Sequence, residues 1–149
     1  MKKKCRIADV MNTYNPALQI IKAKGYKVFL FPDIREEFLG DFWAIKDGRE
    51  FIGEDPLRVL GLITLWENNG DEWRQKNVST EDHYNNILER AFPDTVQDIE
   101  KLTPEAFQSL VSDYRLFFKT LHFDIDIPNN ISPQDMFDII DSYYKKSHF

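Results

Sequence analysis

Residues 41–68 read DFWAIKDGREFIGEDPLRVLGLITLWEN, and two local rules operating there decide the fold. Asp41–Lys46 and Arg49–Gly53 flank Asp47-Gly48, a pair that accepts positive φ at both central positions of a type I′ turn and so predicts a β-hairpin. In the register this turn sets, Ala44 opposes Phe51 and Trp43 opposes Ile52, which makes both faces of the hairpin apolar. Such a sheet is covered on both faces or offers one of them to a partner. Asp55-Pro56 then opens a helix: the carboxylate accepts an orphan N–H of the first turn, and proline fills a position where a missing N–H costs nothing. From Pro56 to Asn68 the apolar residues Leu57, Val59, Leu60, Leu62, Ile63, Leu65 and Trp66 run almost all the way round, which predicts a buried central helix. Gly61 in its interior predicts close approach of another backbone, since in an exposed helix it costs about 1 kcal/mol against alanine. Gly70 ends the helix.

The same capping signal recurs outside this stretch, at Asn15-Pro16, Thr103-Pro104 and Ser132-Pro133, and each pair predicts a helix start. Pro16 to Lys24 carries Leu18, Ile20 and Ile21, with Lys22 and Lys24 complementing the helix dipole and Gly25 supplying a left-handed stop. Tyr26 to Phe31 reads as a strand, broken by Pro32 and the acidic loop 33–40. Beyond the polar connector 71–78 the chain becomes helical. Thr80–Phe92 places Tyr84, Ile87, Leu88, Ala91 and Phe92 on one face, with Glu81, Asp82 and His83 in its first turn. Asp94–Leu102 is a short helix with Asp94 and Gln97 at capping-box spacing. Pro104–Leu121 and Pro133–Lys146 carry apolar residues at spacings of three and four. The predicted class is α+β: a small three-stranded antiparallel sheet packed on a central helix, followed by a C-terminal cluster of three or four helices. The composition shift near residue 75 divides a single domain, residues 1–149, into subdomains 13–74 and 79–146 around one core.

Composition narrows the function classes. At 149 residues with 42% apolar content and twelve Phe, the chain supplies an ample core without a staple. Its single cysteine, Cys5, excludes an internal disulfide and a cysteine zinc cage, and fits a reducing compartment. No apolar stretch follows the basic residues 2–6 and none approaches membrane-spanning length, so neither signal nor membrane span is expected and the cytoplasm is the expected location. A net charge of −6, from 25 acids against 19 bases, repels phosphate backbones and argues against nucleic acid.

The candidates for chemistry are sparse. His122, Asp124 and Asp126 alternate through HFDID and would share a face on extended backbone, the start of a hard-metal site, although three or four converging ligands are needed and no other histidine spacing helps. The alternative is the wet side of a segment whose Phe123, Ile125 and Ile127 pack inward. The acids at 81 and 82 already serve a helix N-terminus. The serines form no nucleophile elbow and the glycines no phosphate loop. No cofactor and no catalytic residue is expected. Recognition of a protein remains: Asp33, Glu36, Glu37 and Phe38 in one loop, and Asp71, Glu72 and Trp73 after the central helix, mix acids with apolar anchors in a way that suits a basic partner.

Asn15-Pro16, Gly25-Tyr26, Lys46-Asp47-Gly48-Arg49, Phe51-Ile52, Asp55-Pro56-Leu57, Leu60-Gly61-Leu62, Trp66-Glu67 and Gly70-Asp71 together resemble small standalone bacterial proteins of unassigned function. The resemblance covers about residues 15–71. It implies a helix–strand–strand–strand–helix unit in a bacterial cytosolic protein and carries over no functional residue. Size and acidity are also those of immunity proteins that neutralise basic toxins, by analogy. The reading from sequence is thus a non-catalytic, protein-binding module, immunity-like or regulatory, with an acidic face and aromatic anchors. The competing reading is a small-ligand binder or enzyme with an aromatic-lined pocket between the Trp43 sheet face and the C-terminal helix bearing Tyr143 and Tyr144. A homo-oligomer that buries the second sheet face is a third.

Overall fold

The computed structural model describes residues 5–32, 40–74 and 81–147. The fold is α+β, a three-stranded antiparallel sheet with helices before, after and through the C-terminal half. The chain divides into two compact units, Met1–Ser79 and Thr80–Phe149.

In the N-terminal unit a 3₁₀ turn, Met11–Thr13, runs directly into α1, Tyr14–Ala23. This corrects the expectation that Asn15 caps the helix. Thr13 occupies the cap position, and its hydroxyl donates to Val10 O at 2.7 Å. Asn15 and Pro16 therefore lie within the first turn, where the proline forfeits nothing because those N–H groups have no intrahelical partner. The other end follows the sequence: Gly25 takes φ +94°, Gly25 N–H donates to Lys22 O, and Tyr26 N–H donates to Ile21 O, the paired bonds of a Schellman stop.

Strands β1 (Lys27–Phe31), β2 (Asp41–Lys46) and β3 (Arg49–Gly53) pair antiparallel in that order. Asp47 and Gly48 have φ of +52° and +75°, as the I′ turn demands. The expected register holds, with Ala44 opposite Phe51 and Trp43 opposite Ile52. Val28, Ala44 and Phe51 share the face that packs with Ile21, Tyr26, Val59 and Ile63 into one cluster. The other face carries Phe29, Trp43 and Ile52 in register, with Phe31 against Trp43 at 5.1 Å between ring centroids. Phe29, Phe31 and Ile52 are exposed there.

Helix α2, Pro56–Asn69, starts as predicted, with Asp55 Oδ1 accepting from Arg58 N–H at 2.8 Å. It is not buried all round. Only Pro56, Val59 and Ile63 are buried, on one face, while Leu62 and Leu65 are exposed. Gly61 is a second correction: it lies on the exposed side, and a Cβ added there meets nothing within 4 Å. With no neighbour to accommodate, the glycine only lowers helix propensity. Gly61→Ala is therefore expected to stabilise the protein by about 0.5–1 kcal/mol, read as a higher denaturant midpoint at unchanged slope.

The C-terminal unit holds α3 (His83–Glu89), α4 (Val96–Glu100), α5 (Pro104–Thr120) and α6 (Pro133–Ser147). Helix α3 is shorter than predicted, and Asp82 stands before its first turn as the cap, accepting from Asn85 N–H at 2.9 Å. Its apolar stripe is not a core face: Tyr84, Ile87 and Leu88 are exposed. In α4 the cap is Thr95, whose hydroxyl accepts from Asp98 N–H at 3.1 Å, so the box expected from Asp94 and Gln97 sits one residue further along. Thr103 caps α5 through Ala106 N–H, and Ser132 accepts from Asp135 N–H. The core of this unit is Val111, Phe118, Ile127, Ile131 and Met136. Arg115 pins the connecting segment by donating Nε to Ile127 O at 2.8 Å.

Candidate functional site

The site lies in the N-terminal unit, where β3 and α2 leave a groove of about 320 Å³. Its organising contact is a triad assembled from three elements. Arg49, the first residue after the hairpin turn, donates Nε to Asp71 Oδ1 at 2.8 Å and an Nη to Asp71 Oδ2 at 2.9 Å. Trp66 Nε1, on the last turns of α2, donates to the same Oδ1 at 2.7 Å, and the Arg49 guanidinium lies 4.7 Å from the centroid of the Trp66 ring. Paired donation fixes a guanidinium on a carboxylate more rigidly than a point charge can. The carboxyl of Asp71 is accordingly held down to about 2, first by the Arg49 hydrogen bonds and then by the Trp66 indole. Arg49 is raised, chiefly by the same bonds.

Around this triad the walls are apolar. Ile52 and Phe51 come from β3, Leu62 and Leu65 from the outer face of α2, and Trp73 from the turn that follows. Ile52, Leu62, Leu65 and Trp73 are 40%, 39%, 38% and 43% exposed, so large apolar side chains line an open surface. Phe51 sits behind them, packing on Trp66 at 5.9 Å and Tyr26 at 5.7 Å between centroids. Burial is the main cause of a raised Tyr26 phenol. Arg74 lies over the Trp73 ring at 4.9 Å, which shows that this ring accepts a guanidinium.

Of the residues expected at a contact surface, Asp71 and Trp73 line the groove and Glu72 stands exposed between them. Asp71 is committed to Arg49 and Trp66, so it builds the groove. The carboxylates of Glu50, on the groove wall, and Glu72 make no hydrogen bond or ion pair among the described residues. Asp33, Glu36, Glu37 and Phe38 lie outside the described residues. The sequence reading does not single out Arg49, Leu62, Leu65 or Trp66 for the site, since it places the last three on a buried central helix whose apolar residues run almost all the way round.

The metal candidates are not brought together. His122 is no part of an extended segment; it takes φ +58° as the left-handed residue that stops α5, donating N–H to Lys119 O while Phe123 N–H donates to Phe118 O. The rotation breaks the alternation that would place His122 beside Asp124 and Asp126. Among the described residues no group of three His, Cys, Asp or Glu could hold a metal ion. In the C-terminal unit Tyr143 and Tyr144 line a depression with Phe92, Tyr114, Phe117 and Phe137. No helix among the described residues is long and apolar enough to cross a membrane. Compared with protein-family models, curated proteins and solved structures, the chain matches none.

Proposed function

We propose that this chain is a non-catalytic protein-binding module whose contact surface is the groove between β3 and α2, and that its partner inserts apolar side chains flanked by basic ones. The observation that carries the reading is the row of half-exposed Ile52, Leu62, Leu65 and Trp73 beside an edge strand. Aromatic and aliphatic anchors of this kind supply contact energy at interfaces, and an edge strand offers backbone groups to an extended segment. Glu50 and Glu72 supply the charge that draws a basic partner, within a chain of net charge −6. The Arg49–Asp71–Trp66 triad holds the walls in place before the partner arrives, which reduces the ordering cost of binding. We place the module in the bacterial cytosol on the sequence resemblance and the lone Cys5, in a role of the immunity or regulatory kind.

The test compares proteins captured from cytosol of the native host by the wild-type chain and by a Leu65→Lys, Trp73→Ala variant. Both substitutions are at exposed positions, and circular dichroism and a denaturant midpoint close to those of the wild type report that the variant still folds. The expected result is a defined set of proteins, rich in Lys and Arg, held by the wild type and lost by the variant. Recovery of the same set by the variant, or of no defined set by either, overturns the reading. A solution mass of twice the chain, returned to one by the variant, assigns the surface to a second copy instead.

A further inference from the structure

A separate feature of the C-terminal unit points to a small ligand. We infer that the depression of about 520 Å³ between α5, α6 and the segment before α4 binds a small alkylated ammonium ion. Six aromatic side chains line it: Phe92, Tyr114, Phe117, Phe137, Tyr143 and Tyr144. Five of them form a connected set, with Phe92 packed on Tyr114 at 4.9 Å and on Phe137 at 6.3 Å, Tyr114 on Phe117 at 5.9 Å, and Phe117 on Tyr143 at 5.5 Å between centroids. The volume lies within the range of about 300–1,000 Å³ usual for small-ligand sites. Burial raises the Tyr114 phenol, so that ring stays neutral at ordinary pH.

The ligand class follows from the charges on the rim. Asp94 and Asp141 both line the depression. Lys145 takes Asp141 at 2.7 Å, leaving that pair neutral as a whole. Asp94 is different: Thr95 holds the cap position of α4, and the Asp94 carboxylate has no hydrogen bond or ion pair among the described residues. An anion without a partner beside a cluster of aromatic rings is complementary to a cation clothed in methyl or methylene carbon. The rings attract such an ion through their quadrupoles and through contact with its carbon, and neither a bare ammonium nor a neutral hydrocarbon satisfies both.

The experiment titrates the full-length protein calorimetrically with choline, with its neutral isostere 3,3-dimethylbutan-1-ol, and with ammonium chloride. Choline is expected to bind saturably in the millimolar range, and each control at least about fivefold more weakly. Asp94→Asn and Tyr144→Ala, the latter at a ring 57% exposed, are each expected to weaken choline binding about threefold or more with the helical circular dichroism unchanged. Equal binding of the isostere reduces the depression to an apolar patch and overturns the inference; equal binding of ammonium reduces it to a surface charge and does the same. So does an unaffected Asp94→Asn variant, or no saturable binding at millimolar choline.

Discussion

Phe118→Ala is expected to remove about 3–5 kcal/mol of stability from the C-terminal unit, the range seen when a fully buried phenylalanine is truncated. The side chain is 1% exposed and lies in the cluster with Val111, Ile127, Ile131 and Met136. Its ring meets three others edge-on: Phe117 at 5.2 Å, Tyr143 at 5.4 Å and Phe123 at 6.5 Å between centroids. Two of those contacts tie separate features to α5. Tyr143 belongs to α6, and Phe123 is the residue whose N–H donates to Phe118 O in the helix stop. Truncation thus leaves a cavity where three elements converge, with little freedom to collapse around it. Since a natural domain has only about 5–15 kcal/mol in total, the loss is a large fraction of the whole. Urea unfolding followed by far-ultraviolet circular dichroism gives the value, with Phe118→Leu as the comparison that retains most of the volume. A loss under about 1 kcal/mol for the alanine variant is incompatible with the packing described.

The parts of this structure that were legible in the sequence are those governed by a few adjacent residues. Asp47-Gly48 set the hairpin and its register, because only a turn with positive φ at both positions matches the strand twist. Asp55, Thr103 and Ser132 cap the helices they precede. The failures share a cause: the competing local arrangement lay one or two residues away, or depended on a distant neighbour. Asn15 lost the cap to a 3₁₀ turn that feeds α1 from the other side, and Asp94 lost it to Thr95. In α2, periodicity identified the apolar side chains but could not tell a covered face from an open one, so Leu62 and Leu65 were assigned to the interior. The groove was half legible. Trp73 and the nearby acids stand out in sequence, whereas the Arg49–Asp71 pair spans 22 residues and exists only because the hairpin turn and the end of α2 meet. A hint was present in Trp66 and Asp71 themselves, an indole donor and a carboxylate at the same helix terminus.

Gly40→Ala is expected to cost about 3 kcal/mol or more, the range in which backbone strain and steric conflict act together. Gly40 is buried and takes φ +125°, a conformation an L side chain rarely adopts. A Cβ placed on it stands 2.0 Å from Phe31 O and 2.8 Å from Pro32 Cα. Both are backbone atoms, so no side-chain rotation relieves the overlap; the end of β1 must move. That end carries the Phe31–Asp41 and Leu30–Phe42 pairs, and displacing it loosens the strand that presents Phe29 and Phe31 beside Trp43. The comparison that isolates the steric part is Gly48→Ala. Gly48 also has positive φ, +75°, but a Cβ there meets nothing within 4 Å, so only the conformational cost of about 1 kcal/mol applies. The three tryptophans, Trp43, Trp66 and Trp73, all belong to the N-terminal unit, and denaturant unfolding followed by their fluorescence reads that unit directly. Equal losses for the two variants contradict the close approach at Gly40. A loss at Gly40 at least about twice that at Gly48 is the outcome that the backbone geometry requires.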